Sequence, residues 1–184
     1  MIVFAPLRDP VEAINSHLRR AGHAVHCTWI PALGDLGDAL TQLNPEMLIC
    51  QPQADGELSA VAAVRNQLAP QVPLIALLEA ADETAIAGAI AVGARDAVTL
   101  ARPDRLRAVI ERELRSFRLE RALSTTLQSA RDYRKQLETV LQRSNDAIAQ
   151  VQEGIVVGAN ASWLDVFGYA REGQVIGQPL MDLF

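Results

Sequence analysis

Short apolar runs alternate with amphipathic stretches through the first part of the chain. Residues 2–5, IVFA, form the first run. Val11, Ile14, Leu18 and Ala21 then recur at intervals of three and four, which places them on one face of a helix, and Gly22 follows as its stop. Residues 24–30 are β-branched and aromatic enough for a second strand. Leu36, Ala39, Leu40 and Leu43 mark a second helix closed by Asn44 and Pro45, and residues 47–50, MLIC, a third strand. Val61, Val64, Arg65 and Leu68 carry a third helix over residues 58–68. Residues 74–78, LIALL, are continuously apolar, as a strand covered on both faces must be. An Ala-rich helix over Glu83–Val92 ends at Gly93, and residues 96–100 predict a fifth strand. Pro103 opens another helix in the first-turn position that proline favours.

Five strands alternating with helices predict an α/β fold, a doubly wound five-stranded parallel sheet with right-handed crossovers. Ligands of such folds bind at the carboxyl ends of the strands. Here those ends are residues 5–8, 51–53, 78–80 and 100–102.

The pattern changes after Pro103. Neither glycine nor proline occurs from there to about residue 145, so one long helix is expected. Leu106, Val109, Ile110, Leu114 and Phe117 share the face that packs on the first domain. From Leu123 the spacing is strictly four and three: Leu123, Leu127, Ala130, Arg134, Leu137, Leu141, Ser144, Ile148. That is a heptad seam, expected to pair in a coiled coil, with Ala130, Arg134 and Ser144 as weak layers. Leu123, Leu127, Leu137, Leu141 and Ile148 are its dimerising residues.

Two further strands, residues 147–151 and 155–159, are expected to meet across Gln152, Glu153 and Gly154, followed by a short helix over Ala161–Phe167. This last segment is too short for a core of its own, so it reads as part of a domain. Three segments follow: 1–116, an α/β domain; 117–145, a long helix; 146–184, an incomplete α+β domain.

Composition narrows the function. The 184 residues carry a formal net charge of −5 with no basic stripe, which argues against a nucleic-acid surface. No apolar run reaches membrane-span length, and MIVFAPLRDP lacks the layout of a secretory signal, so a cytoplasmic protein is expected. Cys27 and Cys50 are expected in buried strands about 9–10 Å apart, too far for a disulfide. His23 and His26, read as strand residues, point to opposite faces, and no metal site is expected. Phosphate-binding glycine loops and nucleophile–histidine sets are absent from the sequence, so neither an enzyme nor a cofactor is expected.

Residues 1 to about 116 resemble the receiver domain of two-component response regulators. The resemblance rests on PEMLICQ, VPLIALLEA and GARDAVTL at the third, fourth and fifth strands. It implies strand order 2-1-3-4-5 and a phosphorylation site at the rim. That site uses an acidic pair after the first strand to hold Mg²⁺, an acceptor aspartate after the third, a hydroxyl after the fourth and a lysine after the fifth. In this sequence the acidic-pair region holds Leu7 and Arg8, the acceptor position Gln51, and the two switch positions Leu78 and Leu100. The expectation is a pseudo-receiver. The alternative is a phosphorylatable receiver using a displaced aspartate, Asp55 or Asp9.

The stretch from about residue 145 resembles the opening of a PAS sensor domain, on ANASWLDVFGY followed by VIGQPL. Asn160 is expected to cap the short helix, and Gly177 to support a left-handed turn. Receiver-like domain, long helix and PAS in this order resemble the N-terminal region of multidomain bacterial cyclic-di-GMP proteins, some acting on type IV pilus motility. The resemblance implies GGDEF and EAL domains downstream; the seam predicts a homodimer through the helix, and the pseudo-receiver is expected to offer a docking surface for a protein partner.

Overall fold

The computed structural model describes residues 1–80 and 82–183, apart from the side chains of Gln142 and Arg143. Phe184, with which the third expected segment ends, lies outside the described residues. Two compact units are present, Met1–Ala122 and Leu123–Phe184.

In the first unit β1 (Ile2–Phe4), α1 (Asp9–Arg20), β2 (Thr28–Ile30), α2 (Leu33–Leu43), β3 (Leu48–Cys50), α3 (Glu57–Leu68), β4 (Leu74–Leu77), α4 (Glu83–Val92) and β5 (Asp96–Val98) follow one another. α5 (Pro103–Arg143) begins there. The sheet is parallel, in the order β2-β1-β3-β4-β5. Strand period decides which face each side chain joins. Ile2, Phe4, Leu48, Cys50, Leu74 and Ala76 join α2 and α3 residues such as Leu36, Leu40 and Val61 in one core. Val3, Ile49, Ile75, Leu77 and Val98 join Ile14 and Leu18 of α1 and Leu106 and Ile110 of α5 in the other. The predicted inward face of α5 is buried throughout, at Leu106, Val109, Ile110, Leu114 and Phe117.

Several strands are shorter than their apolar runs. Leu78 and Leu100 lie beyond β4 and β5 yet still pack on the core, so apolarity outlasts the ladder there. β2 pairs with β1 over only three registers, from Ile2–Thr28 to Phe4–Ile30. His23, His26 and Cys27 therefore stand outside the strand, which corrects their strand placement, and Cys27 is half-buried. Cys27 and Cys50 are both free thiols.

In the second unit β6 (Ala149–Gln152) and β7 (Ile155–Ala159) form an antiparallel hairpin. Glu153 and Gly154 both have positive φ, 52° and 82°, the backbone that a two-residue type I′ connection demands. α6 (Ala161–Phe167) follows. Asn160 Oδ1 accepts from Trp163 N at 3.0 Å to cap it, and Gly168 ends it with φ 79°. Gly177 has φ 80°, the left-handed conformation expected for it. Val156, Trp163 and Val175 form the small core. Among the described residues no helix is long and apolar enough to cross a membrane.

Candidate functional site

The carboxyl ends of the strands form the candidate site. β3 ends at Cys50, so Gln51 is the first residue of the rim. Its backbone N–H donates to Phe4 O at 2.8 Å, which fixes it beside β1. Its side-chain Oε1 is buried and has no hydrogen-bond partner among the described residues. A carboxamide here has an acceptor oxygen but no negative charge.

Leu7, Arg8, Leu78 and Leu100, the other positions that the receiver pattern points to, carry no carboxylate. Leu7 is 64% exposed. Arg8 occupies the N-cap position of α1, with Nε 3.5 Å from Glu12 Oε1, so its charge is satisfied by its own helix. Asp9 opens α1 and is exposed, where it favours the helix dipole. Asp55 is exposed in the turn after β3. Glu57 faces back to the rim, its Oε2 accepting from Gln53 N at 2.6 Å. Leu78 packs partly buried against the core on the α2 and α3 side, and Leu100 against that on the α1 and α5 side, so both positions serve packing. Among the described residues no three His, Cys, Asp or Glu side chains group so as to hold a metal ion.

Two rim features escape sequence reasoning. The Trp29 indole N–H donates to Ala5 O at 2.9 Å and so caps the end of β1. Cys50, next to Gln51, has its thiol pushed up to about 12 by burial and then by the Glu57 carboxylate, so it stays protonated near neutrality. A cavity of about 370 Å³ lies on the β4–β5 side, lined by Glu79, Asp82, Ile86, Thr99, Arg102 and Arg105 among others. Its lining carries both signs of charge.

A second cluster ties the sheet to α5. Asp96, at the start of β5, accepts from Ala97 N at 2.8 Å and from the guanidinium groups of Arg105 and Arg112, each at 2.9 Å. Arg112 also donates to Glu113 at 2.8 Å. Hydrogen bonds from Arg112 to Glu113 and then to Asp96 raise the guanidinium pKa further.

In the second unit Leu123, Leu127 and Leu137 are exposed on α5, while Leu141 is half-buried. Ser144 and Ile148 lie past the end of the helix, so the seam is shorter than its spacing implied. Ile148 instead enters the hairpin, its N–H donating to Asn160 Oδ1 at 2.9 Å and its carbonyl accepting from Asn160 N at 3.0 Å. A cavity of about 260 Å³ is lined by Arg134, Glu138 and Leu141 of the helix and by Ile148, Gln150 and Glu172, among others.

Comparison with known proteins agrees with both halves. The PAS fold family matches residues 131–184. Solved structures match chiefly on the receiver fold. One is NtrX from Brucella abortus in complex with ADP, 20% identical, with a TM-score of 0.59 over 79% of this chain and 36% of that one. The isolated NtrX receiver domain, also 20% identical, matches at 0.53 over 62% of this chain and 97% of its own. The beryllofluoride-activated NtrC4 receiver domain dimer, 14% identical, matches at 0.52 over 63% and 96%. No curated protein matches the sequence at a significant level. Residues 1–122 have the receiver fold, followed by a long helix and a small antiparallel sheet of PAS type.

Proposed function

We propose that the chain is a non-catalytic regulatory module: a receiver fold without its phosphoacceptor, coupled by a long helix to a PAS domain. The observation that carries this reading is Gln51 at the end of β3, with a neutral amide whose oxygen is buried and unpartnered. Acyl-phosphate chemistry needs an anionic oxygen to attack phosphorus and a hard cation to neutralise the transferring group. A carboxamide supplies no anion. Arg8, paired to Glu12, supplies no carboxylate where an acidic pair is required to hold the cation. The domain then acts as a docking and dimerising surface, and α5 carries changes of pairing towards the PAS fold.

The order of receiver fold, long helix and PAS fold supports a place in a cyclic-di-GMP pathway, with GGDEF and EAL domains following and pilus-driven motility as output. Deleting the protein in its host would then alter surface motility in a cyclic-di-GMP-dependent way. Unchanged motility and an unchanged cyclic-di-GMP response count against that assignment.

The loss of the acceptor is tested by titrating Mg²⁺ and beryllofluoride into the isotopically labelled chain. The amides of Gln51, Gln53, Leu78 and Leu100 are expected to stay in place. Saturable shifts centred on them would show a working site.

A further inference from the structure

The helix of the second unit carries two overlapping heptad stripes. Leu123, Ala130 and Leu137 recur every seven residues and belong to both. With Leu127, Arg134 and Leu141 they make one seam. With Thr126, Tyr133 and Val140 they make another. The two faces are centred about 50° apart around the helix. Resting on the reading of this chain as a helix-paired dimer, we propose that a second copy of the chain pairs through the second face: Leu123, Thr126, Ala130, Tyr133, Leu137 and Val140.

At its C-terminal end the first face is in use within its own unit. Arg134, Glu138 and Leu141, spaced four and three apart, line the cavity shared with Ile148 and Gln150. Arg134 Nε donates to Glu138 Oε1 at 2.9 Å. The Leu141 carbonyl accepts from Asn160 Nδ2 at 3.1 Å, which fixes that turn of the helix to the N-cap of α6, just past β7. Tyr133 and Val140, which belong to the neighbouring stripe alone, are 72% and 65% exposed, and Leu137, common to both, is 58% exposed. These three sit at the same four-and-three spacing, so they form one continuous apolar band.

Charge selects the same face. Pairing through the first seam puts Arg134 in a core layer, where a cation is costly. The second face has no charged residue in any layer and moves Arg134 to the flank, where it keeps Glu138 and water. A like helix is the occupant because the band repeats every seven residues, and a seven-residue repeat fills the holes of a helix with the same repeat. Tyr133 has Ala130 beside it in the band, a small layer that makes room for its ring.

The test compares three matched substitutions in the full chain by light scattering over a dilution series, with far-UV circular dichroism to confirm the helix. Tyr133→Lys and Val140→Lys are expected to raise the dimer dissociation constant about a hundredfold or more. Leu127→Lys, on the flank of the second face, is expected to change it by less than about fivefold. The reverse ranking overturns this face while leaving the dimer standing. Three variants that all associate as tightly as the native chain overturn helix pairing altogether. A native chain that is monomeric throughout the series removes the underlying reading as well.

Discussion

Arg112 on α5 donates to Asp96 Oδ2 at 2.9 Å, so the first residue of β5 and the third turn of the long helix are joined by a charge-assisted hydrogen bond. Arg105 reaches the other carboxylate oxygen of the same aspartate from two turns earlier. The carboxylate is nearly buried, and both its charge and its lone pairs are satisfied.

Removing that carboxylate should therefore hurt. Asp96→Ala loses two charged partners and the bond to Ala97 N. It is expected to cost about 2–4 kcal/mol of stability, read as a lower urea midpoint at unchanged slope. Arg112→Met and Glu113→Gln, which share one hydrogen bond, should not add: their double variant is expected to lose less than the sum by about 0.5 kcal/mol or more.

Asn160 holds the opening of the PAS fold together. Its Oδ1 accepts from Ile148 N and Trp163 N, and its Nδ2 donates to the carbonyls of Leu141, Ser144 and Asp146. Asn160→Ala removes the helix cap and leaves buried N–H groups unpaired. A loss of about 2–4 kcal/mol in the stability of the second unit is expected. Trp163, stacked on Tyr169 with ring centroids 5.8 Å apart, is the second unit's reporter once Trp29 is replaced by Phe, and its emission should move to the red at lower denaturant.

Cys50 makes the fold sensitive to alkali. Its thiol pKa is raised from 9.0 to about 12, chiefly by burial and then by Glu57. A folded-state pKa above the unfolded one stabilises fully below the unfolded value and loses that contribution as pH rises towards the folded one. Between pH 9 and 12 the native chain should lose stability progressively from this group, on the order of 1 kcal/mol per pH unit at the steepest. Cys50→Ala removes that slope, and equilibrium unfolding at stepped pH measures the difference. Alkylation of Cys50 at pH 8 should be slow until the chain is unfolded.

Local chemistry made some elements legible in the sequence. The bounds Glu83–Val92 and Ala161–Phe167 are recovered because each helix has a side-chain cap, Asp82 or Asn160, and a left-handed glycine, Gly93 or Gly168. Strand ends were harder. Leu78 and Leu100 are apolar because they pack, not because they pair, and hydrophobicity alone does not separate the two. Gln51 directly follows β3, and Leu7 and Arg8 lie between β1 and α1, since a parallel sheet brings strand ends together whatever the side chains. The Trp29 bond to Ala5 and the grip of Arg105 and Arg112 on Asp96 join positions that only the folded chain aligns. Ile148 kept the heptad spacing by coincidence, with the helix already ended at Arg143.

The central claim is that the sheet's rim carries no phosphoacceptor. Incubation of the native chain with acetyl phosphate and Mg²⁺, followed at once by intact mass measurement, tests it most directly. The expected result is an unmodified mass at every time point. A stoichiometric gain of one phosphoryl group, lost in Asp55→Asn or in Asp9→Asn, would contradict it.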